Sequence, residues 1–398
     1  MFPQQLILQL YSAILYKNLQ YTFESSGGTM TKSEFKTYLG DKAFYQCSNL
    51  KEIIIPNSVK SIGKYCFGEC TALENITLGN NLSKIREYTF HNCTTLKNIK
   101  IKDNITTIDS CAFFGCSSLI NIEMGNNLNH IKNNAFENCS SLSSINIPNT
   151  ITSIDNNVFK GCTSLKNIII ENRTTLLTLG SNEKSPLFID CPLDSVYIGG
   201  KITYKYSPFS NTPLRTVIIS DQEEQILDEE FKGCYNLQNV VTGDNVKNIG
   251  NYAFSGCCNL KNFTVGSNTE EIGIGAFYNC TAMTQLISNA IVPPTCNANA
   301  LDDINKWSCV LKIPQNTLSA YKVAEQWKDF FFIEDVIKVK KFLLTYIVDG
   351  EIIHSDSVTA GSIITTLDKP IKEGHSFSGW RLEDGKSVPK TMPAKNLT

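Results

Sequence analysis

The side chains able to do chemistry are few, and their spacing argues against an active site. Four histidines, His91, His130, His354 and His375, are scattered over 398 residues. His91 and His130 fall at different phases of the repeat described below, so each reads as a solvated loop residue. No G-x-S-x-G nucleophile turn, H-E-x-x-H zinc motif or P-loop is present. Gly273-Ile274-Gly275 offers one step of a phosphate-cradling loop. The same Ile-Gly start occurs at Ile62-Gly63 and Ile249-Gly250, which makes it part of a recurring turn. No catalytic, cofactor-binding or metal-ligating residue is assigned, and no cofactor is expected.

Cysteine is the remaining reactive type, with 15 copies. Nine of them, Cys47, Cys70, Cys93, Cys116, Cys139, Cys162, Cys234, Cys257 and Cys280, each follow a phenylalanine by three residues. Those phenylalanines are Phe44, Phe67, Phe90, Phe113, Phe136, Phe159, Phe231, Phe254 and Phe277. Within each run they are spaced by 23 residues. Cysteines at one repeat position stack about 4.8 Å apart if the repeats form adjacent strands, too far for the ~3.8 Å Cβ separation of a disulfide. A column of reduced, buried thiols is expected, and a zinc site, which needs converging ligands, is not. Cys66, Cys111, Cys191, Cys258, Cys296 and Cys309 break the phase, and Cys296 with Cys309 is the one pair to test as a disulfide. So many free thiols suit an anaerobic or reducing setting.

The unit that positions these residues reads I-x4-F-x2-C-x2-L-x2-I-x-I-x3-(I/L/V)-x2-I. Two degenerate copies, around Phe188 and Phe209, fill the interval between Phe159 and Phe231, giving eleven copies. The apolar spacing matches neither a sustained helix nor a sustained strand; only I-x-I alternates. One such unit cannot bury its apolar face alone, but stacked units make a continuous core. The chain therefore reads as a solenoid with one short parallel strand per unit.

In I-x-I the outer residues point inward and the middle one outward. The outward column is Ile54, Thr77, Lys100, Glu123, Asn146, Ile169, Tyr197, Ile218, Val241, Thr264 and Ile287. Ile169, Tyr197, Ile218 and Val241 make a contiguous apolar strip, a candidate protein-binding site. The alternative is that an inserted loop at 171–186 folds over and buries the strip. Two residues earlier lies a polar column that includes Asn75, Asn98, Asn121, Asn167, Asn239 and Asn262. Its stacked amides read as a structural ladder, with glycan contact as the alternative.

Composition and charge set the outer limits. Thirty-six Lys and Arg against 38 Asp and Glu leave a net charge of −2, without the basic excess that nucleic-acid binding requires. The apolar run from Leu6 to Tyr16 is too short to span a membrane and lacks the flanks of a secretory signal. Leu6, Leu10 and Ile14 instead fall at helical spacing, as expected of a cap over residues 1–39, and a membrane-anchor remnant is the alternative. Tyr321, Ala324, Trp327 and Phe330 predict a short closing helix. Lys338, Lys340 and Lys341 mark a link at 334–341. A last segment, 342–398, then shows alternating β-type runs broken at the hairpin signal Asp349-Gly350.

The L-x-x-I-x-I core, the 23-residue step, the A-F-x-x-C shoulder and the Ile-Pro turns (Ile55-Pro56, Ile147-Pro148) resemble BspA-type leucine-rich repeats over about residues 40–333. Gly374, Phe377, Gly379, Trp380, Met392, Pro393, Ala394 and Lys395 resemble the signature of the Listeria–Bacteroides repeat, a small β-grasp-like module. Phe377 and Trp380 read as its core. The resemblance implies a leucine-rich-repeat solenoid, mainly β, with a parallel sheet on one face, few short helices and a small C-terminal domain. It implies a non-enzymatic cell-surface or extracellular protein that adheres to a host surface, matrix or mucosal protein. A carbohydrate-binding or polysaccharide-handling envelope component is the alternative. A protein ligand is the expected partner, a glycan the second; nucleic acid and a membrane span are not expected.

Overall fold

The computed structural model describes residues 24–25, 28–29, 37–180, 187–337, 341–348, 351–359 and 380–382. Each 23-residue unit forms one coil. The first-face strand, for example Glu52–Ile54, leads through a corner to a two-residue strand on a second face, Ser61–Ile62. Successive turns then carry Phe67, Cys70 and Leu73 inward before the next first-face strand, Asn75–Thr77. The second face is an addition to the single parallel sheet expected from the sequence.

Neighbouring coils pair in parallel and in register, so each residue sits beside its counterpart one unit on. Glu52, Ile53 and Ile54 lie opposite Asn75, Ile76 and Thr77. From Ser144–Ile147 to Phe332–Ile337 the first-face strands form one continuous sheet. Corners are stapled across coils by short polar side chains. Asp103 Oδ1 accepts the Asn126 N–H at 2.9 Å, Asp221 Oδ1 that of Asp244 at 2.7 Å, and Asp244 Oδ1 that of Ser267 at 3.1 Å. Backbone donors that would otherwise be unmet at these corners are satisfied by the preceding coil's Asx residue.

The core is layered by residue type. The eleven phenylalanines from Phe44 to Phe277 form one unbroken stack, which includes Phe188 and Phe209 of the degenerate units. Centroid distances run from 5.1 to 6.0 Å. That exceeds the strand spacing because aromatic rings prefer an offset.

The solenoid widens once. Asn167–Leu179 and Ser195–Thr203 are long strands that run side by side from the first face into the second. Residues 171–179 therefore continue a strand and do not fold back over the sheet; 181–186 lie outside the described residues. Arg173 is buried at this bend, its guanidinium donating to the carbonyls of Ile151 at 2.7 Å and Pro148 at 2.5 Å. Gly200 (φ +152°) lies against it, and a Cβ there would meet the Arg173 carbonyl oxygen at 2.3 Å.

The far end closes as expected in burial but not in helix length. Tyr321, Trp327 and Phe330 are buried, yet the α-helix is only Leu318–Tyr321. Gln326, at φ +64°, cannot continue a right-handed helix. Hydrogen bonds fix the closing residues instead: Tyr321 Oη donates to the Ala290 carbonyl at 2.7 Å and Trp327 Nε1 to that of Pro294 at 2.8 Å. The sheet continues through Phe332–Ile337, into the stretch expected to be a link. Beyond it, Lys341–Val348 and Glu351–Thr359 form an antiparallel pair flanking the expected turn. Trp380 packs edge-on against the buried Tyr346 at 4.9 Å. Phe377, the remaining signature residues of this module, its β-grasp-like fold and the N-terminal Leu6, Leu10 and Ile14 lie outside the described residues.

Candidate binding surfaces

The strip residues are brought together by strand register. Ile169 lies opposite Tyr197, Tyr197 opposite Ile218, and Ile218 opposite Val241. The column continues to Thr264 and Ile287. Ile169 is 48% exposed, Ile218 42% and Val241 50%, so no described segment covers the strip. Tyr197 is half-buried, and its hydroxyl donates to Asn172 Oδ1 at 2.6 Å. That bond sets the ring from the neighbouring long strand. Nearer the start of the column Lys100 pairs with Glu123, and Asn146 donates to Glu171 of the next strand at 2.6 Å. The apolar residues that follow Asn146 in the column have water on one side.

The asparagine column is also in register and exposed. Asn98 lies opposite Asn121, and Asn239 opposite Asn262. Among the described residues, the six asparagines share one amide–amide hydrogen bond, from Asn262 to Asn239 at 3.3 Å. Asn167 instead accepts from Ser195 Oγ at 2.8 Å. Most of these amides face solvent, so the ladder is a partial one.

The reactive groups are sequestered. All fifteen cysteines are free. From Cys70 onward each ladder thiol donates to the phenylalanine carbonyl of the preceding coil: Cys93 to Phe67 at 3.1 Å, Cys116 to Phe90 at 3.1 Å, Cys280 to Phe254 at 3.2 Å. Cys191, expected to be out of phase, belongs to this ladder. It follows Phe188 by three residues and bonds the Phe159 carbonyl at 3.0 Å. Burial pushes its thiol up to about 12 and that of Cys234 up to about 11, so neither is a nucleophile near neutral pH. Cys296 lies on the second face and Cys309 just before a first-face strand, which separates the pair proposed for a bridge.

Neither histidine is a solvated loop residue. His91 packs between Tyr88 and Phe114, and burial lowers its pKa. His130 lies in a second-face strand with Nε2 3.2 Å from Asp155. The N–H groups of Gly273, Ile274 and Gly275 all bond within the solenoid, to Ile249 O, Asn251 Oδ1 and Ala298 O, which leaves no anion cradle. No group of three or more His, Cys, Asp or Glu able to hold a metal ion occurs among the described residues. No helix among them is long and apolar enough to cross a membrane. One concavity, at Thr203–Lys205 and Gln225–Asp228 on the second face, has no counterpart in the sequence reading. Its trace in the sequence is the short steps of 21 and 22 residues around Phe209.

This arrangement of in-register coils, stacked phenylalanines and a thiol ladder is matched by the BspA type leucine rich repeat region over residues 37–166, 83–207 and 201–319. The chain belongs to the BspA-type leucine-rich repeat family. The Listeria-Bacteroides repeat domain matches residues 342–398 of this BspA-type chain. A leucine-rich repeat protein from Bacteroides ovatus is 24% identical, covering 77% of this chain and 88% of its own, with a TM-score of 0.41. A leucine rich cell surface protein from Faecalibacterium prausnitzii is 21% identical, covering 67% and 86%, with a TM-score of 0.30. The pneumococcal vaccine antigen PcpA is 18% identical, covering 80% and 88%, with a TM-score of 0.35. None of the curated proteins matches this BspA-type chain.

Proposed function

We propose that this chain is a non-enzymatic recognition scaffold of the cell surface or extracellular space. Its first-face strip of Ile169, Tyr197, Ile218 and Val241 docks a protein, and adhesion to a host surface or matrix protein is the finer reading. The observation that carries it is the strip itself: four side chains adjacent by strand register, exposed at Ile169, Ile218 and Val241 and half-buried at Tyr197, with Asn146 and Thr264 at its two ends. A patch of this kind on a rigid sheet has the form of an interface centre with a polar rim. The 342–398 module serves as spacer or attachment segment.

Binding of the full chain to immobilised host extracellular proteins, measured by surface plasmon resonance, tests the proposal. Tyr197→Asp and Ile218→Asp lower affinity at least about tenfold, because each places a charge at the interface centre. Unchanged binding with an unchanged melting midpoint sinks it. Strong glycan-array signals with no protein binding would move the first face to the carbohydrate reading.

A further inference from the structure

Beside the wide coil the second face has a gap; among the described residues its ladder is also interrupted between Ser61–Ile62 and Lys84–Ile85. The end of the long strand Ser195–Thr203 pairs backward, Ile202 with Leu177 and Thr203 with Thr178. The next second-face strand, Gln225–Ile226, pairs forward with Asn248–Ile249. No ladder joins the two sides. The cause is the phase slip around Phe209, where a shorter unit follows the wide coil. Side chains span the break. Lys201 Nζ lies 3.0 Å from Glu224 Oε1. The buried Glu223 carboxylate accepts the N–H groups of Glu224 at 3.0 Å and Gln225 at 3.4 Å, in place of a neighbouring strand.

The gap opens into a pocket of about 560 Å³, inside the range of about 300–1,000 Å³ usual for small-molecule sites. Tyr204 lines it, and below the surface its phenol oxygen is buried without a hydrogen-bond partner. Two of the polar lining residues are committed to the fold. Asp228 Oδ1 accepts the Asn251 N–H at 2.7 Å, and Asn251 Oδ1 accepts that of Ile274 at 2.8 Å. Two others are not. Gln225 and Asn248 are exposed, and among the described residues their side-chain amides form no hydrogen bond.

The lining charges are mixed, Lys205 against Asp228 and Glu271, so the pocket has no strong preference for an anion. Its free groups are amides, which both donate and accept, beside an aromatic side chain. Vicinal hydroxyls also both donate and accept, and a pyranose ring offers C–H faces to an aromatic surface. We infer that this pocket binds a neutral saccharide of one or two pyranose units, using Gln225 and Asn248 to read hydroxyls and Tyr204 as its apolar wall. The site is on the other face from the protein-binding strip and does not depend on it.

Saturation-transfer NMR on the full chain, with glucose, galactose, N-acetylglucosamine, maltose and cellobiose as probes, tests the inference. At least one gives signal at about millimolar affinity, as a shallow site supports. The Gln225→Ala/Asn248→Ala variant weakens that binding at least about tenfold with its melting midpoint unchanged, because the two amides make no internal bonds. Ile218→Asp leaves it unaltered. Silence from every sugar overturns the inference, as does undiminished binding in the double variant. Capture of inorganic phosphate or a lysine-rich peptide, lost in that variant while sugars stay silent, would reassign the pocket to a charged ligand.

Discussion

At the residue scale the repeated cysteine is explained by one carbonyl. In nine of the eleven coils the phenylalanine oxygen accepts a backbone N–H within its own turn and a thiol from the next coil, as Phe90 does from Cys93 N at 3.2 Å and Cys116 Sγ at 3.1 Å. A small apolar side chain with a weak donor suits that position. Thr212 stands there in the Phe209 unit and donates at 2.6 Å to its own coil's Phe209 carbonyl, so a hydroxyl is accommodated but with a different acceptor. Cys116→Val and Cys116→Thr are equal in bulk to each other, the first removing the donor and the second keeping one. The valine variant should be the less stable by about 1 kcal/mol, read from urea unfolding. Equal midpoints would show that the thiol bond contributes nothing. Burial also orders reactivity. Alkylation followed by mass spectrometry should label the half-buried Cys111 and Cys258 first, leaving Cys93, Cys116 and Cys139 untouched until the protein unfolds.

At the element scale the wide coil and the gap beside it hold three buried ionisable groups, Arg173, Glu223 and Glu230. Glu230 is buried near the gap, and Ser207 and Leu227 donate to its backbone and carboxylate oxygens at 2.5 and 2.7 Å. Burial, with a smaller contribution from Glu223, pushes its carboxyl up to about 8. In the unfolded chain a glutamate ionises near pH ~4.3. Between those values the folded state holds a proton that the unfolded state has lost, so stability falls as pH rises and levels off above pH ~8. Glu230→Gln keeps the acceptor for Leu227 N–H and cannot ionise. Its melting midpoint should lose that slope and exceed the wild type at pH ~8. Parallel pH profiles for the two proteins would refute the assignment.

At the scale of the whole molecule, stability is a sum over coils and their interfaces. Phe136 stacks on both Phe113 and Phe159, whereas Phe44 stacks on Phe67 at the start of the described ladder. Phe136→Ala should cost about 3–5 kcal/mol in denaturant unfolding and split the transition into two, since it weakens two interfaces in mid-solenoid. Phe44→Ala should cost less and leave a single transition. An equal loss at both sites would mean that the stack does not transmit cooperativity.

The repeat made most of this architecture legible before any coordinates. With coils of 23 residues in register, position in the unit alone decides what faces inward, because each coil's neighbours are near copies of itself. That is why the phenylalanine stack, most of the thiol ladder and the outward column from Ile54 to Ile287 could be read from spacing. Where the copying fails, the same logic is silent. The wide coil at Asn167–Leu179 and the gap at Thr203 and Gln225 depend on how two unequal coils meet. Their backbone bonds and side-chain contacts are settled by packing in three dimensions, since no local pattern encodes the width of a neighbouring turn.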